Sequence, residues 1–214
     1  MRLYLSSFRV GNHPEELEQL IGKSKARVGI IMNATDLDAE EEITEKFEGE
    51  KERFSGLDFK MERLDLRDYF GQSEKLKDRV RRFDCLWARG GNTYVLRRAM
   101  KESGLDSLII ELLRVDELVY AGYSAGVVVL QKSLKGLDIV DDPKAVPVGY
   151  PKEVIWDGLG ILPYNIAVHY RSDHPESAAV EKEIEYLKKH RIPYKTLRDG
   201  EAIIINGDKE EFLK

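Results

Sequence analysis

The residues with the clearest chemical potential form a Gly-x-Ser-x-Gly motif, which runs from Gly122 to Gly126 with Ser124 at its centre. One apolar run leads into the motif and a second follows it directly. This order predicts a buried strand, a sharp turn and a helix, an arrangement that exposes a nucleophilic serine hydroxyl at the strand end. The Ala125 amide, at the start of that helix, would then face a developing oxyanion. The alternative is a tight turn around a small buried residue.

A serine is a weak nucleophile unless a general base accepts its proton, and the chain contains four histidines. His169 follows the apolar run 165–168, so we expect it at the carboxyl end of a strand. His13 and His174 each precede a proline in a loop, and His190 lies among basic residues at a helix end. We therefore predict that His169 is the base, with a hydrogen-bonded structural histidine as the alternative.

A second glycine-rich turn, Gly90-Gly91, follows the predicted strand 83–88 and Arg89. Because it lacks side chains, this turn can approach a tetrahedral intermediate closely and offer the Gly91 amide as a second oxyanion donor. A simple helix-start turn is the alternative. A phosphate-binding loop is disfavoured, since neither the P-loop pattern nor Gly-x-Gly-x-x-Gly is present.

The elements around these residues predict an α/β fold in one domain, residues 1–214. Apolar strands are expected at 3–5, 28–32, 59–64, 83–88 and 118–123, with amphipathic helices between them. This alternation predicts a doubly wound, mostly parallel sheet covered by helices on both faces. Ligands of such sheets bind at the carboxyl ends of the strands, where both Ser124 and the Gly90-Gly91 turn are expected.

The last third of the chain is predicted to supply the rest of the site. Its expected elements are a surface excursion at 136–150, a strand at 159–170, a helix at 175–190, and a terminal strand pair at 194–197 and 202–205. Asp199 lies in the turn between the two terminal strands, where neighbouring strands can hold a side chain rigidly.

Composition narrows the classes of function. The 214 residues are 42% hydrophobic, enough for one α/β core, and the net charge of −5 is spread without a basic surface for nucleic acid. No apolar run reaches the 18 residues that a membrane span needs, and residues 1–5 are too short for a signal core, so we expect a cytoplasmic protein. The histidines lack partners at metal-ligand spacing, so no metal or other cofactor is expected.

Three features in this order resemble the peptidase E family: the Gly90-Gly91-Asn92-Thr93 segment, the Gly122–Gly126 motif and the single downstream His169. Members of that family are serine hydrolases known as α-aspartyl dipeptidases, and cyanophycinases are their relatives. The resemblance extends from the first strand to the terminal segment 199–203. Arg89 is a departure, because many members carry a third glycine there.

The resemblance implies a three-layer, flavodoxin-like fold similar to that of class I glutamine amidotransferases, with Ser124 in place of their cysteine. It also implies Gly91 and Ala125 as oxyanion donors and His169 as general base. An acid should bind the second ring nitrogen of the histidine. Asp199 is the predicted partner, because some relatives carry Asp or Glu in a similar turn.

Asp138 is the alternative acid, since it lies in the excursion where relatives carry acids that have been assigned this role. The predicted function is that of a serine peptidase, a monomer or homodimer, which cleaves small peptides such as dipeptides. The resemblance suggests a preference for N-terminal Asp, and Arg89 and Arg171 are the candidate partners of its carboxylate. An esterase or amidase with the same serine, or a binding protein that lacks turnover, are the alternatives.

Overall fold

The computed structural model describes residues 1–214. The strands are β1 (Arg2–Ser6), β2 (Ala26–Ile31), β3 (Phe59–Arg63), β4 (Cys85–Ala88), β5 (Val119–Tyr123), β6 (Asn165–Ala167), β7 (Tyr194–Thr196), β8 (Ala202–Asn206) and β9 (Lys209–Leu213). The helices are α1 (Pro14–Ile21), α2 (Glu40–Arg53), α3 (Ser73–Val80), α4 (Thr93–Ser103), α5 (Leu105–Arg114), α6 (Ala125–Val128) and α7 (Ser177–Lys189). None of these helices combines the length and apolar composition that a membrane crossing requires.

Seven strands form the central sheet in the order β3-β2-β4-β5-β1-β8-β9. The first five run parallel to one another, and β8 and β9 add antiparallel strands at one side. The predicted α/β fold with a mostly parallel sheet is therefore confirmed. The parallel order places the carboxyl ends of β4, β5 and β1 side by side, so the loops that follow them meet at one edge.

The central strands are buried on both faces, which explains their continuous apolar sequence. In β4, Leu86 and Ala88 pack into the core beneath α3 to α6, whereas Cys85 and Trp87 pack into the core beneath α1 and α2. Consecutive side chains of a strand point to opposite faces, so a four-residue strand contributes to both cores. The layers are thus helix, sheet and helix.

Two glycines allow the turn after β5 to pack against β4. A Cβ atom at Gly122 would lie 2.6 Å from the carbonyl oxygen of Ala88, and one at Gly126 would lie 2.2 Å from the same oxygen. Both distances are far shorter than a carbon–oxygen contact allows. The Gly-x-Ser-x-Gly spacing is therefore required by the approach of β5 and α6 to the end of β4.

The last third of the chain departs from the predicted strand pairing. Segment 159–170 contains only the short β6, which pairs in parallel with β7 in a separate two-stranded sheet. The predicted pairing of 194–197 with 202–205 is wrong, because β8 pairs with β1 and β9 instead. The apolar, mostly buried β8 occupies a position in the central sheet, whereas the half-buried β7 belongs to the small sheet with β6. The charged edge strand β9 has no counterpart among the predicted elements.

Arg98 on α4 holds the excursion 136–150 and the segment after it. Its side chain is buried, and it donates hydrogen bonds to the carbonyl oxygens of Pro143 (2.8 Å), Ala145 (3.3 Å) and Glu153 (3.0 Å). Burial lowers the pKa of this guanidinium. Three carbonyl dipoles thus stabilise the buried cation and fix the path of an otherwise irregular segment.

We expect the Arg98→Met substitution to lower the free energy of unfolding by roughly 1–3 kcal/mol, because three partly buried carbonyl groups lose their donor. Urea denaturation followed by circular dichroism measures the change. Lys101→Met is the matched control, since Lys101 is an exposed cation on the same helix, and its effect should stay within about 0.5 kcal/mol. Equal stability losses in the two variants would contradict the role of Arg98.

Candidate active site

Ser124 lies between β5 and α6 with an unusual backbone conformation. Its φ of 49° and ψ of −118° fall in a region that side-chain-bearing residues rarely adopt. Its amide donates a hydrogen bond to the carbonyl oxygen of Ser7, which helps to hold this conformation (3.2 Å). The side chain remains partly exposed at the edge where the parallel strands end. The predicted strand, turn and helix around Ser124 are thus present.

His169 and Asp199 form a hydrogen-bonded pair. The Nδ1 atom of His169 lies 2.7 Å from Oδ1 of Asp199, and the imidazole is 1% exposed. His169 lies two residues after the short strand β6 and has a φ of 57°. It therefore does not follow the long strand that the sequence predicts, and β6 is not part of the central sheet. When Nδ1–H donates to the carboxylate, Nε2 carries the lone pair that a general base needs.

The surroundings favour the neutral form of His169. Burial lowers the pKa of this imidazole, and the hydrogen bond and charge of Asp199 offset part of that shift. A neutral imidazole at neutral pH can accept a proton, whereas an imidazolium cannot. The electrostatics of the pair therefore suit a base.

The Gly90-Gly91 turn lies against the serine. A Cβ atom on Gly90 would fall 2.9 Å from the Cβ atom of Ser124, and one on Gly91 would fall 2.5 Å from the carbonyl oxygen of Ala34. Gly91 has a φ of 145°, within the range that favours glycine. Both glycines are thus needed for the turn to approach Ser124 and Ala34 this closely. The side chain of Asn92, the next residue, caps α4 by accepting a hydrogen bond from the Val95 amide (3.0 Å).

Two further residues contact the pair, and neither was among the predicted site residues. The His174 ring stacks on the His169 ring with centroids 3.6 Å apart and planes 5° from parallel. Glu176 Oε2 lies 3.8 Å from His169 Nε2. Burial, together with the charges of Asp141 and Asp199, raises the pKa of Glu176 to about 7. The His-Pro-Glu sequence is visible in a loop, but loops have no periodicity that predicts where a side chain points.

The ligand atoms of His169, His174 and Glu176 lie within 4.8 Å of one another, close enough to raise the question of a metal site. A metal ion bound to a histidine lies near the plane of its imidazole ring. Two parallel rings 3.6 Å apart cannot both direct a nitrogen lone pair at one ion. The donor arrangement therefore does not fit a tetrahedral divalent metal.

The remaining predicted site residues have other partners. Arg89 donates to the Gly90 carbonyl oxygen (2.8 Å), and its Nε lies 3.5 Å from Oε1 of the buried Glu50. Arg171 is exposed and donates to Glu181 (3.1 Å). The Asp138 carboxylate accepts a hydrogen bond from the Gly136 amide (3.0 Å). The structure therefore brings Asp199, and not Asp138, to the histidine.

The model of the family named Peptidase family S51 matches residues 6–213. Among curated proteins, a probable alpha-aspartyl dipeptidase of Drosophila melanogaster is 31% identical over 139 residues, which are 63% of this chain and 55% of the fly protein. An uncharacterized peptidase of Listeria monocytogenes is 28% identical over 81% of this chain and 80% of its own length. Peptidase E of Streptomyces coelicolor is 28% identical over 59% of this chain and 50% of that protein. The chain thus spans about half the length of the fly and Streptomyces proteins.

Two solved structures share the fold. A Listeria monocytogenes EGD-e protein described as a candidate peptidase E superposes with a TM-score of 0.79 and 23% identity, covering 100% of this chain and 98% of its own. A peptidase from an acI-B1 actinobacterium gives a TM-score of 0.73 and 16% identity, covering 99% of this chain and 86% of its own. Since the family model covers nearly the whole sequence, the chain belongs to peptidase family S51.

Proposed function

We propose that this protein is a serine dipeptidase in which Ser124 is the nucleophile, His169 the general base and Asp199 the acid that orients the base. One observation carries the proposal: the hydrogen bond of 2.7 Å between His169 and Asp199, at the sheet edge where the Ser124 turn lies. Membership in a peptidase family supports the peptide bond as the target.

In the proposed reaction, the Ser124 hydroxyl attacks the carbonyl carbon of the scissile peptide bond, and His169 Nε2 accepts the hydroxyl proton. The Gly91 and Ala125 amides hold the oxyanion of the tetrahedral intermediate, each contributing roughly 3 kcal/mol. The imidazolium then donates its proton to the leaving amine. Water releases the acyl group from Ser124 through the same proton transfers in reverse, and Asp199 stabilises the imidazolium in both halves.

The proposed substrates are dipeptides, with N-terminal Asp as the preferred residue. The name of the fly relative supports this preference. Arg171 is the better candidate for binding the substrate carboxylate, because its pair with Glu181 is exposed and such pairs contribute little. Arg89 faces the buried carboxylate of Glu50 instead, and releasing it would remove one of the two arginines beside that charge.

We expect Ser124→Ala and His169→Ala each to lower kcat by roughly 10³-fold or more, because nucleophile and base act as one unit. The double variant should be little worse than either single variant. Hydrolysis of Asp-Leu and labelling by a fluorophosphonate measure the effect. Ser107→Ala and His190→Ala are matched controls at exposed positions.

Labelling of Ser124 without any peptide hydrolysis would redirect the proposal to an esterase or amidase. An unlabelled serine in the folded wild-type protein would favour a binding protein without turnover. Retention of a tenth of the wild-type kcat by His169→Ala would show that another group is the base.

We expect Asp199→Asn to lower kcat by roughly a hundredfold or more, because the imidazole loses the charge that fixes its tautomer and stabilises its cation. Asp138→Asn, the matched control, should stay within about twofold of wild type. A large loss of kcat in Asp138→Asn with little loss in Asp199→Asn would instead show that Asp138, in the excursion 136–150, orients the histidine.

The pH dependence of kcat/KM is a second test of the His169–Asp199 pair. Burial lowers the pKa of His169 below the ordinary histidine value, so the acid limb of wild-type kcat/KM should lie below pH ~6.5. Asp199 raises that pKa, so the limb of Asp199→Asn should move to lower pH. An unmoved limb in this variant would mean that His169 does not titrate in contact with Asp199.

We expect Arg171→Ala to lower kcat/KM for Asp-Leu by roughly tenfold through loss of a charged hydrogen bond, and to leave Ala-Leu unchanged. Arg89→Ala should lower the melting temperature without changing the ratio of the two substrates. Equal kcat/KM for Asp-Leu and Ala-Leu in the wild-type enzyme would remove the acidic preference while leaving the hydrolase intact.

A further inference from the structure

Ser7, the residue after β1, connects three segments of the candidate site. Its hydroxyl group accepts a hydrogen bond from the His169 amide (2.8 Å) and donates its own proton to Oδ1 of Asp199 (2.9 Å). Its carbonyl oxygen accepts the Ser124 amide (3.2 Å), and its own amide donates to the Glu201 carbonyl (3.1 Å). The side chain is fully buried. No sequence pattern points to this serine.

The single hydroxyl proton of Ser7 has two acceptors within reach, Oδ1 of Asp199 at 2.9 Å and the carbonyl oxygen of Leu197 at 3.2 Å. The carboxylate is the closer and the charged acceptor, so it receives the proton. Oδ1 of Asp199 therefore accepts two hydrogen bonds, from the Ser7 hydroxyl and from His169 Nδ1. Two donors on one oxygen fix the direction of the carboxylate and share its negative charge.

We propose that Ser7 is a positioning residue, whose hydroxyl holds the His169 backbone and the Asp199 carboxylate in one arrangement beside Ser124. The reaction in which it acts is the proposed function, so the inference rests on that proposal. The backbone of Asp199 is held separately, by donation of its amide to Ser172 Oγ (2.8 Å). Ser7 thus acts on the orientation of the Asp199 side chain.

The same contact sets the proton affinity of the base. The charged and titratable groups that face His169 are Asp199 at Nδ1, Glu176 near Nε2 and the stacked His174. Loss of the Ser7 hydroxyl removes one donor from Asp199, which then attracts the imidazolium more strongly. The pKa of His169 should therefore rise in Ser7→Ala, opposite to the change expected for Asp199→Asn.

The test compares Ser7→Ala with Ser6→Ala, a matched control in which a neighbouring buried serine loses only a long hydrogen bond to the Phe8 carbonyl (3.4 Å). Three quantities are measured: kcat and KM for Asp-Leu, the acid limb of kcat/KM, and the NMR titration of the His169 ring. For Ser7→Ala we expect kcat to fall about tenfold with KM within about twofold, and the His169 midpoint to move to higher pH. Ser6→Ala should match wild type in all three.

A fall in kcat without a shift of the His169 midpoint would reduce Ser7 to a structural residue and overturn the proposal, as would values equal to those of Ser6→Ala. In the Asp199→Asn background, Ser7→Ala should lower kcat by much less than the tenfold loss expected in the wild-type background, because Ser7 acts largely through that carboxylate. An additional tenfold loss would also overturn the proposal. If Ser7→Ala does not fold, Ser7→Cys keeps a side chain of similar shape with a much weaker donor.

Failure of the proposed function is recognised separately. A wild-type protein that neither hydrolyses dipeptides nor reacts with a fluorophosphonate would refute the serine peptidase. The His169 titration needs no turnover, so it would still show whether Ser7 controls the His169–Asp199 pair.

Discussion

The hydrogen bond between His169 and Asp199 is the interaction on which the arrangement of the candidate site depends, and the small β6–β7 sheet makes it possible. Ala167 pairs with Thr196 in this sheet, and the pairing continues as the Leu197 amide donates to the Ala167 carbonyl (2.9 Å) and the Tyr170 amide to the Leu197 carbonyl (3.0 Å). Because parallel strands end at the same edge, the residues just beyond them lie side by side. His169 and Asp199 occupy those positions.

Strand pairing in the central sheet places the His169–Asp199 pair close to the Ser124 turn. The chain enters β8 directly after the Asp199 turn, and β8 pairs with β1, which pairs with β5 on its other side. The end of β1 therefore separates the Asp199 turn from the Ser124 turn by one strand. Ser7, which follows β1, bridges this gap. Ser124 and His169, two of the seven non-glycine residues with positive φ, are both held by hydrogen bonds to Ser7, which offset a strain of roughly 1–3 kcal/mol each.

A second polar cluster supports the site from beneath. The buried carboxylate of Glu50 on α2 accepts hydrogen bonds from Trp87 Nε1 (3.1 Å), Tyr123 OH (3.0 Å) and Arg53 (3.0 Å). Arg89 adds positive charge at 3.5 Å. These contacts connect α2 to β4 and β5 immediately before the Gly90-Gly91 turn and the Ser124 turn. A buried carboxylate needs such compensation, so the arginine next to the glycine turn has a structural partner before any substrate arrives.

Local patterns in the sequence determined the α/β alternation, the turn around Ser124 and the close approach of the Gly90-Gly91 turn. Each is encoded within about ten consecutive residues, by apolar runs and by glycines where a Cβ atom would collide with a neighbouring strand. The tertiary structure alone decided that β7 pairs with β6, that Arg89 faces Glu50, and that Ser7 contacts His169. That last contact joins residues 162 positions apart, and the one between His169 and Asp199 joins residues 30 apart. Separations of this size have no periodicity, so only the packing of the strands specifies which side chains meet.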